Sequence, residues 1–255
     1  MGRLRLQSGP RTGWHPLDLQ PALRPLYLSA ADRGGLLQET AGVVTSWTGR
    51  QGGLALTAAG SPAWSATGLA GAYPMVSGDG SSANFTGATT GLPTGTNPCV
   101  FAFFGVPGAG TGQIVSYGAT SNTYRRLFTS TNGDDGKIIR VVGNNAFFAT
   151  GETPLSEPCI VVGVVTTTGT LIRYNGVEVG NTAGTLLSTG TTRLRLFSNT
   201  AGTAGDYLAA GITELLICTT LTERQIEQFE GYCAHAYPLA GITLPDSHPY
   251  SRAAP

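Results

Sequence analysis

Four aromatic residues stand where they could hold a sugar, and little else in the chain has the makings of chemistry. Trp47, Trp64, Tyr124 and Tyr207 are placed in or beside strand-like runs. An exposed ring there offers an apolar face for a pyranose and, in tyrosine and tryptophan, a polar tip for its hydroxyls. Core packing is the simpler account of the two tryptophans. The three histidines, His15, His235 and His248, are scattered, and no Ser-His-acid order or nucleophile elbow accompanies them. Cys99, Cys159, Cys218 and Cys233 lack CxxC spacing, so the expectation is buried free thiols rather than a zinc site or a redox pair, with Cys218 and Cys233 the one pair to compare. No cofactor, no metal and no catalytic residue is expected.

These residues need a scaffold, and composition points to sheet. The 255 residues include 37 glycines and only 12% charged residues, which suits tight turns between strands more than a helical body. Fifteen basic and fifteen acidic residues cancel, so no net field draws the chain to nucleic acid or to an acidic membrane. No run approaches the roughly 20 apolar residues that span a bilayer, and residues 1–14 lack the apolar segment of a signal peptide. The expectation is a soluble chain made in the cytoplasm.

Residues 1–25 hold prolines and arginines without periodicity and read as an N-terminal arm, with Arg3, Leu4, Arg5, Leu6 and Trp14 as its candidate partner-binding residues. Residues 26–237 carry short β-branched and aromatic runs at sandwich-like spacing, about a dozen in all. Residues 29–39 read as a turn with a short helix, and Leu186-Leu187 as part of a strand. In Pro98-Cys99 to Phe104 and Pro158-Cys159 to Val165 a proline precedes an unbroken apolar run, the pattern of a central strand covered on both faces. Asn175-Gly176 predicts a type I′ hairpin turn, and Thr192 to Phe197 alternates Arg outward with Leu inward. Gly211 to Cys218 reads as another doubly covered strand, with Ile212, Leu216 and Cys218 on one face. Thr222 then opens a helix with a Gln225 capping box and a Leu221–Ile226 staple, its polar face taking Glu223, Arg224, Glu227, Gln228 and Glu230. Residues 238–255 form a tail laid over the surface. The fold class expected is all-β, two antiparallel sheets in a jelly-roll sandwich with one C-terminal helix.

Tyr174-Asn175-Gly176, Arg195 to Ser198, Ile212 to Ile217, Leu221 to Tyr232 (L-T-x-x-Q-I-x-x-x-E-G-Y) and Leu244 to Tyr250 (L-P-x-x-H-P-Y) follow in order. This series resembles the concanavalin A-like, or laminin G-like, jelly rolls of bacteriophage virion proteins and some bacterial surface proteins. The Ser77 to Ser81 turn is similar to the F-D-G segment of that family, with Ser77 in place of its Phe. Glycan-cleaving enzymes on this fold resemble one another in an E-x-D-x-E strand, which this chain lacks; Glu152 with Glu157, and Asp134 with Asp135, lie beside proline or in a turn. Some relatives bind calcium, for which Asp79, Asn199 and Asp206 are the nearest residues, short of the carboxylate set a hard cation prefers.

The resemblance implies a non-enzymatic structural component of a virion, a capsid decoration or tail protein. It would hold other virion proteins as a homo-oligomer or lattice through the arm and sheet surfaces. The alternative is a glycan-binding adhesin module at a phage fibre or tail tip, with a host-surface glycan as partner. Glycan-array binding that vanishes on Trp64→Ala favours the adhesin; no binding, with stable incorporation into purified particles, favours the structural role.

Overall fold

The computed structural model describes residues 13–50, 53–108, 110–118, 124–130, 138–144, 147–152, 156–184, 186, 188–190, 193–199 and 206–255. Arg3, Leu4, Arg5, Leu6, Asp134, Asp135 and Leu187 therefore lie outside the described residues. Strands dominate: β1 (Leu26–Ser29), β2 (Leu37–Thr40), β3 (Val43–Thr48), β4 (Ala55–Ala59), β5 (Ala63–Leu69), β6 (Tyr73–Ser77), β7 (Asn84–Gly87), β8 (Cys99–Val106) and β9 (Gly112–Gly118). They continue as β10 (Tyr124–Ser130), β11 (Ile138–Asn144), β12 (Phe147–Glu152), β13 (Cys159–Val165), β14 (Gly169–Tyr174), β15 (Val177–Ala183), β16 (Arg193–Leu196) and β17 (Gly211–Cys218). One α-helix, α1 (Glu223–Ala236), follows. Where a turn and short helix were expected over residues 29–39, the chain makes a 3₁₀ turn at Ala30–Asp32 and then β2, because pairing with β3 gives these backbone groups ladder partners. Leu186 is buried but lies outside any strand.

All strand pairs are antiparallel and join into one hydrogen-bonded network. One ladder runs β1-β17-β8-β13-β14-β15. A second runs β2-β3-β4-β7-β16-β9-β10-β11-β12. β5 and β6 link the two through β3 and β17.

The proline-led runs fill the centre of the first ladder, where β8 pairs with both β13 and β17. Alternation splits their side chains between two cores. Phe101, Phe103, Val161, Leu215 and Ile217 pack with Trp47, Leu56, Phe85, Val115 and Leu196 of the second ladder. Ala102, Phe104, Ile160, Val162, Leu216 and Cys218 pack with Ile226, Phe229 and Cys233 of α1 and with Leu19 and Leu244 from the chain ends. Ile212 departs from the expected face. A bulge between Ile212 and Glu214 inserts an extra residue, so Ile212 joins Leu215 and Ile217 instead of Leu216 and Cys218.

Helix α1 begins as its sequence predicts. Thr222 Oγ1 accepts the Gln225 amide at 3.3 Å, and Gln225 Oε1 accepts the Thr222 amide at 2.9 Å. Leu221 and Ile226 pack against the same core. Glu230, expected on the polar face, is instead 0% exposed. Arg173 of β14 donates to Oε1 from Nε and to Oε2 from Nη2, both at 2.9 Å, and His248 Nε2 lies 3.0 Å from the same Oε2. The Asn-Gly turn behind Arg173 has φ of 48° at Asn175 and 83° at Gly176, as a type I′ turn requires. A Cβ on Gly176 would stand 3.0 Å from the His248 ring, so glycine also lets the tail approach. The tail is thus held by a buried ion pair, with Leu244 and His248 themselves buried. The described part of the arm also packs on its own chain: Leu19 is buried, and Trp14 meets the Tyr232 ring edge-on at 6.4 Å.

Between β17 and α1 sits a second buried carboxylate. Glu214, 1% exposed, accepts at Oε1 from Ser29 Oγ at 3.1 Å and from a short bond with the Tyr237 hydroxyl, and it also bonds Tyr27. Its Oε2 has no hydrogen-bond partner among the described residues. Arg50 reaches the Tyr27 hydroxyl at 3.2 Å but gives its fork to Asp32 at 2.7 Å. Burial pushes the Glu214 carboxyl from 4.5 up to about 7, against the opposing pull of the Tyr237 bond, the Arg50 charge, and the Tyr27 and Ser29 bonds.

Two outcomes follow for stability. Glu230→Ala strands the Arg173 guanidinium at a site where it is 14% exposed, and the expected loss is about 3 kcal/mol, read as a lowered urea midpoint with unchanged slope. The raised Glu214 pKa means that the folded state holds a proton the unfolded chain has lost between about 4.5 and about 7. Stability therefore falls with rising pH across that window, by about 3 kcal/mol. Glu214→Gln removes that share of the pH dependence, and parallel pH–stability curves for the two proteins would refute the assignment.

Candidate functional site

The second ladder has one face committed to the core and the other turned away from it. Leu194, Leu196 and Leu127 point into the core, so Arg193, Arg195 and Arg126, one residue out of phase, take the opposite face. Cross-strand register sets them in rows. Thr57, Thr86, Arg195, Ser116 and Arg126 stand side by side across β4, β7, β16, β9 and β10. In the adjacent row Gly118 separates Arg193 from Tyr124. Arg140 joins from β11, next to core-facing Val141.

The groups on this face hold one another. The Arg126 guanidinium lies 4.4 Å from the centre of the Tyr124 ring. Arg195, 5% exposed, donates from Nη1 to the Asn199 carbonyl at 2.8 Å, and Asn199 Nδ2 donates to Asp206 Oδ2 at 2.8 Å. Ser116 Oγ reaches the Ser198 carbonyl at 3.0 Å. The turn after β16 is bent by positive φ at Phe197 and Asp206, 61° and 47°, which folds residues 198–199 and 206–207 back beside the arginines.

The electrostatics follow from crowding. Burial lowers the Arg126 pKa, Tyr124 and Asp206 oppose that, and Arg140 adds to it. Burial and then Arg193 lower Arg195, with Tyr207 opposing. Burial raises Tyr124, Arg126 opposes, and Asp206 adds. Guanidinium groups stay charged under all ordinary conditions. Among the residues whose side chains are described, four guanidiniums share this region with one carboxylate, Asp206.

The four nominated rings separate. Tyr124, 8% exposed, lies on this face under the Arg126 guanidinium, and Tyr207 follows Asp206 outside any strand, near enough to Arg195 to act on its charge. Trp47 is 0% exposed in the core, tilted against Phe85 at 5.9 Å, so it offers no ring to a ligand. Trp64 lies on β5, half-buried, with Arg33 stacked 4.3 Å above it and its Nε1 donating to the Ala30 carbonyl at 2.9 Å. The arginines were legible only as outward positions; their meeting across five strands depends on register.

Other candidates have structural employment. Asp79 accepts three backbone amides, from Ser81, Ser82 and Ala83, each at 2.8 Å, bonds that hold its carboxyl well below the usual range. No group of three or more His, Cys, Asp or Glu side chains suited to a metal occurs among the described residues. All four cysteines are free and buried, Cys218 and Cys233 in the same core. Arg125, 0% exposed, gives Nε to Thr189 Oγ1 at 2.8 Å and Nη2 to the Gly95 carbonyl at 3.0 Å, pinning loops at the end of the second ladder. A cavity of about 280 Å³ is lined by Trp14, His15, Tyr232 and His235 between the chain ends.

No family model and no curated protein sequence matches the chain. Solved structures do. An arabinofuranosidase complexed with arabinofuranosyl-α-1,2-xylobiose aligns at a TM-score of 0.60 and 13% identity, over 76% of this chain and 51% of that one. Domain 4 of AbnA, a GH43 extracellular arabinanase from Geobacillus stearothermophilus, in complex with arabinotriose, aligns at 0.53 and 15%, over 82% and 98%. A botulinum neurotoxin type C structure, from work on cell entry dependent upon interaction with two ganglioside molecules, aligns at 0.55 and 9%, over 84% and 52%. The chain spans about half the length of the neurotoxin and arabinofuranosidase chains. At these identities the likeness is one of fold.

Proposed function

We propose that the chain is a glycan-binding module, folded as a two-sheet antiparallel jelly-roll sandwich of concanavalin A type, and that the outer face of its second ladder takes the saccharide. The two ladders are the two sheets, and the core between Phe103 and Trp47 is the sandwich interior. The observation that carries the reading is the convergence on one sheet face of Tyr124 with Arg126, Arg193, Arg195 and rows of hydroxyls, with Tyr207 near enough to Arg195 to act on its charge. A ring supplies the apolar contact for a sugar, and the guanidinium forks and hydroxyls around it supply directional bonds. Similarity of fold to domains solved with arabinotriose and with an arabinofuranosyl-xylobiose lends support, while the site itself must make the case.

The module binds without cleaving. Glycoside hydrolysis takes a pair of carboxyl groups across the bond, and the carboxylate described on this face, Asp206, is engaged by Asn199. The setting at a phage fibre or tail tip rests on the sequence resemblance alone, as does the virion-lattice role; none of the structures named above is of a virion protein.

A glycan array followed by calorimetry tests the site. Tyr124→Ala and Tyr207→Ala are each expected to weaken saccharide binding about tenfold, the order of one aromatic contact; Tyr207→Ala leaves the melting temperature little changed, whereas Tyr124→Ala, at a ring 8% exposed, also lowers it. Trp64→Ala, by contrast, is expected to leave affinity intact and lower stability, since its ring packs against the core and caps the Ala30 carbonyl. Absence of any saccharide binding by the folded protein would overturn the reading.

A further inference from the structure

We infer that the saccharide taken by this face is acidic, carrying a carboxylate or sulfate that the arginines of β16 and β10 receive. The inference deepens the proposed function and rests on it. Four of the chain's 15 basic residues, Arg126, Arg140, Arg193 and Arg195, gather on neighbouring strands of a protein with no net charge.

Elsewhere the chain supplies its buried or half-buried arginines with acceptors. Arg50 has both oxygens of Asp32, Arg173 has both oxygens of Glu230, and Arg125 has the Pro93 and Gly95 carbonyls and the Thr189 hydroxyl. Arg24, 2% exposed, has the Leu17 and Leu19 carbonyls at Nη2, and Arg195 is held more sparsely still. It is 5% exposed, it has a single carbonyl at Nη1, and its Nε has no hydrogen-bond partner among the described residues. No carboxylate pairs with it among those residues, and Arg193 stands on the same strand face two positions away. A desolvated cation beside a like charge is an unfavourable arrangement that an incoming oxyanion relieves.

The geometry fits a charged sugar better than a bare anion. A guanidinium fork matches a planar carboxylate or a sulfate through two parallel bonds. Gly118, between Arg193 and Tyr124, leaves the sheet without a side chain at that point of the row. Tyr124, 8% exposed under the Arg126 guanidinium, sets an aromatic edge beside the charge. Ser116, Thr86 and Thr57 continue the row with hydroxyls. A chain with no net charge lacks the long-range field by which nucleic-acid binders gather phosphates.

The test is an array that prints sialylated, uronic-acid and sulfated glycans each beside its uncharged parent, followed by calorimetry on the full chain at low and at physiological salt. The charged member of a pair is expected to bind at least about tenfold more tightly than its parent, an advantage that shrinks as salt rises. Arg126→Gln is expected to abolish the difference, the charged member falling to the affinity of its uncharged parent. Arg193→Gln provides the same readout should Arg126→Gln fail to fold. The carboxylated and sulfated arms tell which oxyanion is preferred. Equal affinity for charged and uncharged members overturns this inference and leaves the glycan reading standing. Tighter binding of a single-stranded oligonucleotide than of any glycan overturns it in favour of nucleic acid. No binding of any saccharide overturns both.

Discussion

The centre of the first ladder, β8, β13 and β17, is apolar on both of its faces, and that constraint organises the molecule. β8, β13 and β17 send alternate side chains into two separate cores, so neither face can be left to water. Each fully buried Leu, Ile or Phe is worth about 2 kcal/mol relative to exposure, and a ladder with one face bare would forfeit that on every second residue. The second ladder covers one face. Helix α1, the Leu19 turn and the Leu244 segment cover the other. Both described chain ends are therefore structural parts of the domain, with the Trp14 amide bonded to the Pro255 carbonyl at 2.7 Å.

Covering a sheet with a helix brings polar groups into the seam, and the chain handles two carboxylates there in opposite ways. Glu230 receives a bidentate arginine and a histidine, the full satisfaction that makes a buried ion pair tolerable. Its two partners come from β14 and the tail, so this cluster on α1 ties three segments distant in sequence. Glu214 receives hydroxyls in place of a cation, because Asp32 takes the nearby Arg50. Burial outweighs the hydroxyl bonds, and the carboxyl keeps its proton to higher pH. The contribution of the Glu214 group to the seam therefore varies with pH.

The second ladder meets the complementary constraint. Only one of its faces is used by the core, which frees the other for polar and aromatic residues without loss of packing. That freedom is why arginines can alternate with core leucines along β16 and β10, and why a binding surface is compatible with the fold's stability.

Much of this was legible in the sequence because it is local. The capping box at Thr222 and Gln225, the Asn175-Gly176 turn, the two-sided apolar runs of β8 and β13, and the alternation of Arg and Leu along β16 all follow from contacts within a few residues. Tyr124 and Tyr207 were recognisable as ring candidates by type and strand context. Tertiary structure decided the rest. The bulge in β17 reversed the face of Ile212, because β8 accommodates one extra residue there, and nothing in the β17 sequence announces it. Glu230 is buried because an arginine 57 residues away reaches it, whereas the helical period alone assigns it to solvent. Trp47 and Trp64 went to the core and to an edge stack, a choice made by which side of the strand each neighbour covers. The arginine and tyrosine face exists only through register across β16, β9 and β10. Periodicity reports which side of a strand a residue occupies, and only the pairing of strands distant in sequence reports which residues it stands beside.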